Sequence, residues 1–104
     1  AYNIEHKRPD GKPFHEKGVG NGYILSFKSF RVYIAGDTEN IPEMSQLGKI
    51  KIAFLPKNLP YTMTDEQFVA AAKMIHPKVL YPYHYFEIDR DALIKQLPKD
   101  IELK

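Results

Sequence analysis

Apolar residues along the chain fall into short runs that are separated by polar segments rich in Gly and Pro. The runs GYILSF, FRVYIA, IKIAFL and VLY are rich in Val, Ile, Phe and Tyr, which favour β-strands. These strands are predicted at residues 22–27, 30–35, 50–55 and 79–81. Only Lys28 and Ser29 separate the first two runs, so we expect a hairpin there.

Three helices are predicted between or after these strands. Thr64 and Gln67 have the spacing of a capping box, and the following apolar residues at helical spacing predict a helix that stops at His76-Pro77. A shorter helix is predicted over residues 39–47, with Pro42 in its first turn, where proline is tolerated. Asp89 is expected to cap a last helix, and the final residues IELK are expected to add an edge strand.

The predicted element order is a β-hairpin followed by alternating helices and strands. Alternation of this kind indicates an α/β fold with parallel strands and right-handed crossovers, while the hairpin makes the β-sheet mixed, with flanking helices. Residues 5–22 are polar and rich in Gly and Pro, so we expect one long loop, a type of segment that is usually functional or mobile.

Composition and charge exclude several classes of protein. The chain has 104 residues, 43% of them hydrophobic, which is enough for one globular domain. A net charge of +2 is too small to indicate a nucleic-acid partner, and no run approaches the ~20 apolar residues of a membrane helix. The chain has no cysteine, so disulfides and thiolate chemistry are excluded, and we expect a cytoplasmic location. Because the sequence starts at Ala1, we expect a processed or truncated product.

Two residues that follow predicted strands are the candidate metal ligands. Asp37 follows the second strand, after Gly36, and His84 follows the strand at residues 79–81. Ligand sites in α/β sheets collect at the carboxyl ends of strands, and a carboxylate with an imidazole suits zinc or iron. Each residue also has an ordinary structural interpretation, since Asp is common in turns and caps and a His among aromatics often only packs.

The remaining candidates have weaker support from the sequence. His6 and His15 lie in the long loop, where a solvated histidine is expected, and His76 ends a helix, where a cation is favoured by the helix dipole. Tyr61 lies in a loop after a predicted strand, where it would line a pocket or lead into the capping box.

Three segments, VYIAGDTENIPEM, IAFLPKNLPYTMT and PKVLYPYHY, resemble in this order the second half of metallo-β-lactamase-fold hydrolases. The resemblance implies that Asp37 bridges two metal ions and that His84 binds one of them. Asn3 stands where many members of the family carry another histidine ligand. His15 lies in a segment, FHEKG, that is similar to a loop near the substrate. Asn3, His15 and Tyr61 are therefore taken as substrate-lining candidates.

The resemblance also implies the architecture and the reaction. Residues 1–104 would form a single partial domain, the C-terminal half of an αββα sandwich, because the family's His-x-His-x-Asp-His motif is absent. The complete enzyme would use two divalent ions, zinc first and manganese or iron as alternatives. Metal-bound hydroxide would attack an ester, lactone, amide or phosphoester bond of a small molecule. With only two credible ligands, the isolated chain is expected to bind metal weakly and to be inactive.

Two other interpretations remain open at this stage. Gly-Asp-Thr also occurs in a magnesium motif of haloacid-dehalogenase-like phosphatases, although the nucleophile motif of that family is missing. The chain could instead be a non-enzymatic fragment or interaction module, whose exposed sheet face would drive self-association.

Overall fold

The computed structural model describes all 104 residues and contains a single five-stranded sheet with two α-helices. The strands are β1 (Tyr23–Ser26), β2 (Arg31–Ile34), β3 (Ile52–Pro56), β4 (Val79–Tyr83) and β5 (Glu102–Leu103). The helices are α1 (Asp65–Ile75) and α2 (Arg90–Gln96). The strands lie in sequence order; β1 and β2 are antiparallel, and every other neighbouring pair is parallel. The predicted mixed α/β sheet is confirmed.

The hairpin between β1 and β2 turns at Lys28-Ser29, as the sequence predicts. The backbone N–H of Phe27 donates to the carbonyl of Phe30 over 2.8 Å, and the two phenyl rings stack with centroids 4.8 Å apart. In the resulting register, Tyr23 pairs with Ile34 at the far end of the hairpin.

The helix predicted over residues 39–47 does not form. The structure has only a 3₁₀ turn at Pro42–Gln46, and Ile41 before it is extended. Proline disfavours a helical conformation in the residue before it, so the helix cannot begin at Glu39. Gly48, with a φ of 77°, turns the chain toward β3.

The other two helices begin and end where the sequence places them. The hydroxyl of Thr64 accepts from the backbone N–H of Gln67, and the Gln67 side chain accepts from the backbone N–H of Thr64, which completes the capping box of α1. Helix α1 ends at His76, which is left-handed with a φ of 51°. Asp89 caps α2 by accepting from the backbone N–H of Ala92.

The helices and the 3₁₀ turn cover one face of the sheet. On that face alternate strand residues, including Tyr33, Ala53, Leu55 and Leu80, join one core cluster with α1 and α2, in which Phe68 is fully buried. The intervening residues of each strand lie on the opposite face, as the two-residue period of a strand requires, and most of them are at least partly accessible, although Val32 is buried.

No helix covers that opposite face, which we call the open face. Its residues are nearly all apolar or aromatic: Tyr23, Leu25, Val32, Ile34, Ile52, Phe54, Val79, Tyr81 and Tyr83. Phe54 and Tyr81 stack on it with ring centroids 4.9 Å apart. Tyr23 and Leu25 at its edge keep 58% and 45% of their surface accessible, so this apolar layer faces outward.

Neither helix of the structure combines the length and the hydropathy that a membrane span requires.

Candidate metal centre

The sheet brings Asp37 and His84 together at one edge. Strands β2 and β4 both run parallel to β3, so their carboxyl ends lie at the same edge of the sheet. Asp37 follows β2 and His84 directly follows β4. Nδ1 of His84 lies 2.7 Å from Oδ1 of Asp37, although 47 residues separate them along the chain. This distance is that of a hydrogen bond, which the imidazole N–H donates to the carboxylate.

Gly36 sets the direction in which the chain leaves β2. Its φ is 76°, and a Cβ at this position would stand 2.6 Å from the backbone oxygen of Asn21, so both conformation and space require glycine. Its backbone N–H donates to the hydroxyl of Tyr83 over 2.9 Å. The turn before Asp37 is thus tied to the last residue of β4.

His84 has an unusual backbone conformation for a residue with a bulky side chain. Its φ is 51°, in the left-handed region, and it does not end a helix as His76 does. Residues held in such regions are found more often at functional sites than elsewhere. The conformation turns the chain sharply at the end of β4, where the imidazole meets Asp37.

The long loop brings a second imidazole to the same carboxylate. Nε2 of His15 lies 3.4 Å from Oδ2 of Asp37, so each oxygen of the carboxylate faces one histidine. On the other side of the ring, Nδ1 of His15 lies 2.8 Å from Oδ1 of Asn3. The expected solvated loop histidine is in fact half-buried and part of the site, with 29% of its side chain accessible.

Asn3 and Tyr61 lie on the side of His15 away from Asp37. Asn3 is buried, and its side-chain N–H₂ group donates to Oε2 of Glu39 and to the backbone carbonyl of Tyr61. The Tyr61 ring is partly exposed and packs edge-to-face on Phe14, with centroids 5.1 Å apart. Asn3 therefore contacts the site through His15 and does not reach solvent. The substrate-lining roles of all three candidates stay predictions.

Glu39 is the residue of the site that sequence reasoning missed. Its side chain is only 1% accessible, and its carboxylate accepts from the backbone N–H groups of Glu5 and His6 over 2.8 Å each. Burial opposes ionisation, but these N–H groups and the Asn3 amide lower the pKa of the carboxyl below its ordinary value. A buried acid two residues after Asp37 gives no sequence signal, because its donors lie 33 to 36 residues away.

The other two histidines lie apart from Asp37. His76 pairs with Asp100 at 2.7 Å on the exposed surface beyond α1, consistent with a structural role. Nδ1 of His6 is buried 3.2 Å from Oε2 of Glu39, but it lacks the alignment of a hydrogen bond.

A cleft of about 380 Å³ opens beside the carboxylate. The long loop supplies most of its wall, including Arg8, Lys12 and His15, and Asp37 lies at its side. The cleft gives a small molecule access to the carboxylate that the two histidines share.

The donors at this edge are of the right kind for zinc, but they form only part of a site. Imidazole and carboxylate are preferred zinc ligands, and two donors on one tetrahedral ion stand about 3.3 Å apart, given bonds of about 2.0–2.1 Å. Nε2 of His15 and Oδ2 of Asp37 are 3.4 Å apart and meet this condition. The 2.7 Å contact of His84 is too close for it, and no group of three His, Asp or Glu side chains is arranged to hold an ion. The residues therefore fit a divalent cation as one part of a larger ligand set.

Comparison with known proteins identifies the family to which this chain belongs. A profile of the β-lactamase superfamily domain matches residues 1–84. A metal-dependent hydrolase of Ignicoccus hospitalis is 42% identical over 76 residues, which are 68% of this chain and 32% of the relative. A crystal structure of a Parabacteroides distasonis protein superposes with a TM-score of 0.84 at 48% identity, covering 100% of this chain and 46% of that one.

The fold is also shared with a more distant protein. The metallo-β-lactamase fold protein YhfI of Bacillus subtilis superposes with a TM-score of 0.62 at 13% identity, covering 80% of this chain and 40% of its own. The chain spans less than half the length of each of these three proteins. It therefore belongs to the β-lactamase superfamily, as a partial metallo-β-lactamase fold.

Proposed function

We propose that the chain supplies part of the metal site and one wall of the substrate cleft of a metal-dependent hydrolase. The observation that carries this proposal is the Asp37 carboxylate, which two imidazoles approach from opposite oxygens at the carboxyl edge of the sheet. The family match over residues 1–84 and the metal-dependent hydrolase among the relatives support it. Membership of this superfamily sets the phosphatase alternative aside.

Three side chains would hold divalent metal. Asp37 and His15 would share an ion through Oδ2 and Nε2, whereas His84, whose Nδ1 hydrogen-bonds to Asp37, would offer its other ring nitrogen. Zinc is the first candidate for this mixture of nitrogen and oxygen donors, with manganese or iron as alternatives. A bound cation of this type polarises a scissile bond and lowers the pKa of water to about 7.

The chain's own residues would place and confine the substrate. The loop that carries His15 forms the cleft wall, and Gly36 directs Asp37 to its side. A small molecule with an ester, lactone, amide or phosphoester bond would enter from this side. The remaining ligands would come from the part of the fold that lies outside this chain, so the isolated chain would bind metal weakly and would not turn over substrate.

Isothermal titration of the metal-free chain with Zn²⁺, and separately with Mn²⁺, tests the proposal. We expect weak binding to the 104-residue chain, lowered about tenfold or more by Asp37→Ala, by His84→Ala or by His15→Ala, since each removes a ligand. The pair formed by His76 and Asp100 provides matched controls, because it joins the same two side-chain types at the same 2.7 Å distance. His76→Ala and Asp100→Ala should leave the affinity unchanged.

The controls also define the result that would refute the proposal. If the Asp37 and His84 variants bound zinc as tightly as the original chain, the metal site would lie elsewhere. Loss of affinity in the His76 or Asp100 variants to the same extent would assign zinc to that surface pair instead.

A further inference from the structure

Asn3 is a buried residue whose side chain is fully engaged in hydrogen bonds. Its amide N–H₂ lies 3.0 Å from Oε2 of Glu39 and 2.8 Å from the carbonyl oxygen of Tyr61. Its oxygen lies 2.6 Å from the backbone N of His15 and 2.8 Å from Nδ1 of the same residue. All four contacts are within hydrogen-bond distance, so the environment decides which way the amide points.

The amide has only one consistent orientation. A carboxylate and a carbonyl only accept hydrogen bonds, so the N–H₂ group of Asn3 must face Glu39 and Tyr61. A backbone N–H only donates, so the oxygen must face His15. Exchanging the two ends would place oxygens against oxygens and N–H against N–H at buried positions, where unpaired polar groups cost about 1–3 kcal/mol each.

The orientation of Asn3 determines which ring nitrogen of the neighbouring imidazole carries the hydrogen. Because Oδ1 of Asn3 can only accept, Nδ1 of His15 must carry the hydrogen. In the neutral ring Nε2 then has a free lone pair, and it points toward Oδ2 of Asp37, 3.4 Å away. A lone pair and a carboxylate oxygen repel each other at this distance unless a proton or a metal ion lies between them.

We infer that Asn3 and Glu39 are positioning residues that hold His15 as the Nδ1–H tautomer, with Nε2 free to bind a cation together with Asp37. Glu39 accepts a hydrogen bond from the Asn3 amide and so fixes its orientation. Asn3 in turn accepts from Nδ1 of His15, which leaves the lone pair of Nε2 facing Asp37 at the cleft. Metal-binding histidines commonly donate their second N–H to an oxygen in this way. The cation-binding step rests on the proposed function, whereas the tautomer follows from the contacts alone.

Nitrogen-15 NMR of the histidine rings in the metal-free chain tests the tautomer directly. At about pH 9, where imidazoles are neutral, we expect the Nδ1–H form for His15. The variant Asn3→Ala should give a mixture of both tautomers. His76 serves as a reference in the same spectra, since its contact to Asp100 is remote from Asn3 and should not change. An Nε2–H form of His15 in the original chain would overturn the inference even if no variant folded.

Zinc titration separates this inference from the proposed function. If both hold, Asn3→Ala lowers zinc affinity about 10- to 100-fold, as loss of the hydrogen-bond partner of a metal-binding histidine commonly does. If the original chain has the Nδ1–H form but binds no zinc, the proposed function fails and the positioning by Asn3 stands. If the chain binds zinc and Asn3→Ala changes the tautomer but not the affinity, the role of His15 as a ligand is refuted.

Discussion

At the scale of single residues, Tyr2 shows how one hydrogen bond connects the N-terminal segment to the 3₁₀ turn. Its hydroxyl lies 2.8 Å from Oε1 and 3.1 Å from Oε2 of Glu43. This bond is the main reason why the pKa of the Glu43 carboxyl is below its ordinary value of 4.5. A carboxyl whose pKa is lowered by folding stabilises the fold above its unfolded pKa, and the contribution disappears as the pH falls through the folded pKa.

We predict that Tyr2→Phe raises the pKa of Glu43 toward 4.5. The variant should be less stable than the original chain at about pH 7, and the difference should shrink as the pH falls through the pKa of the folded carboxyl. Carbon-13 NMR titration of Glu43 and urea unfolding at a series of pH values measure the two effects. Asp100, whose pKa is lowered mainly by its hydrogen bond with His76, should titrate identically in both proteins. An unchanged Glu43 titration would contradict the assignment.

Sequence reasoning at this scale locates Asp37 and His84 but not the residues behind them. Both residues follow predicted strands. Because the carboxyl ends of parallel strands share one edge of the sheet, their proximity can be predicted without knowledge of side-chain packing. The family resemblance singles out Asn3, but its burial and its contact with Glu39 are found only from the folded chain. Their contact joins positions 36 residues apart, and neither belongs to a helix or strand whose periodicity would reveal its burial.

At the scale of elements, local hydrogen bonds explain which helices the sequence predicts correctly. Thr64 and Gln67 bond to each other across three residues, so α1 is visible in the sequence. The segment at 39–47 lacks such a box, and Ile41 provides no side-chain cap. Only a 3₁₀ turn forms there, and the Glu39 side chain bonds to the N-terminal segment instead of capping that turn.

We predict that Thr64→Ala lowers the free energy of unfolding by about 1 kcal/mol, the usual cost of a lost N-cap. Thr64→Ser keeps the hydroxyl acceptor and should cost clearly less. Equilibrium urea unfolding of both variants measures the effect. Equal destabilisation by Ala and Ser would show that Thr64 contributes through its methyl group and not through the cap.

At the scale of the whole molecule, the sheet has helices on one face only. Nine largely apolar positions form the open face, and the matched Parabacteroides distasonis chain is about twice as long as this one, since this chain covers 46% of it. We propose that the open face packs against the remaining part of the fold in a longer protein. In the isolated chain a second copy would cover it.

We predict that the chain self-associates and that Tyr23→Lys with Leu25→Lys suppresses association. Both side chains are exposed on the open face, so charge should disfavour the contact at little cost in stability. Ile94→Lys is the matched control, because Ile94 is similarly exposed, at 49%, but lies on α2. Multi-angle light scattering measures the mass as a function of concentration.

Two outcomes would bear on this prediction. A monomer at all concentrations would favour an independent domain whose open face needs no cover. In a chimaera, this chain would replace the matching 46% of the Parabacteroides distasonis protein, and the rest of that protein would cover the open face. The chimaera should therefore not self-associate as the isolated chain does.

The buried Glu39 carboxylate has a consequence for local motion. It accepts the backbone N–H groups of Glu5 and His6 in a segment without helix or strand, and such segments usually open independently of the core. Here opening would break two charge-assisted hydrogen bonds to a buried carboxylate, which are stronger than hydrogen bonds between neutral groups. We therefore expect the amide protons of Glu5 and His6 to exchange with solvent more slowly than amide protons elsewhere in segments without helix or strand.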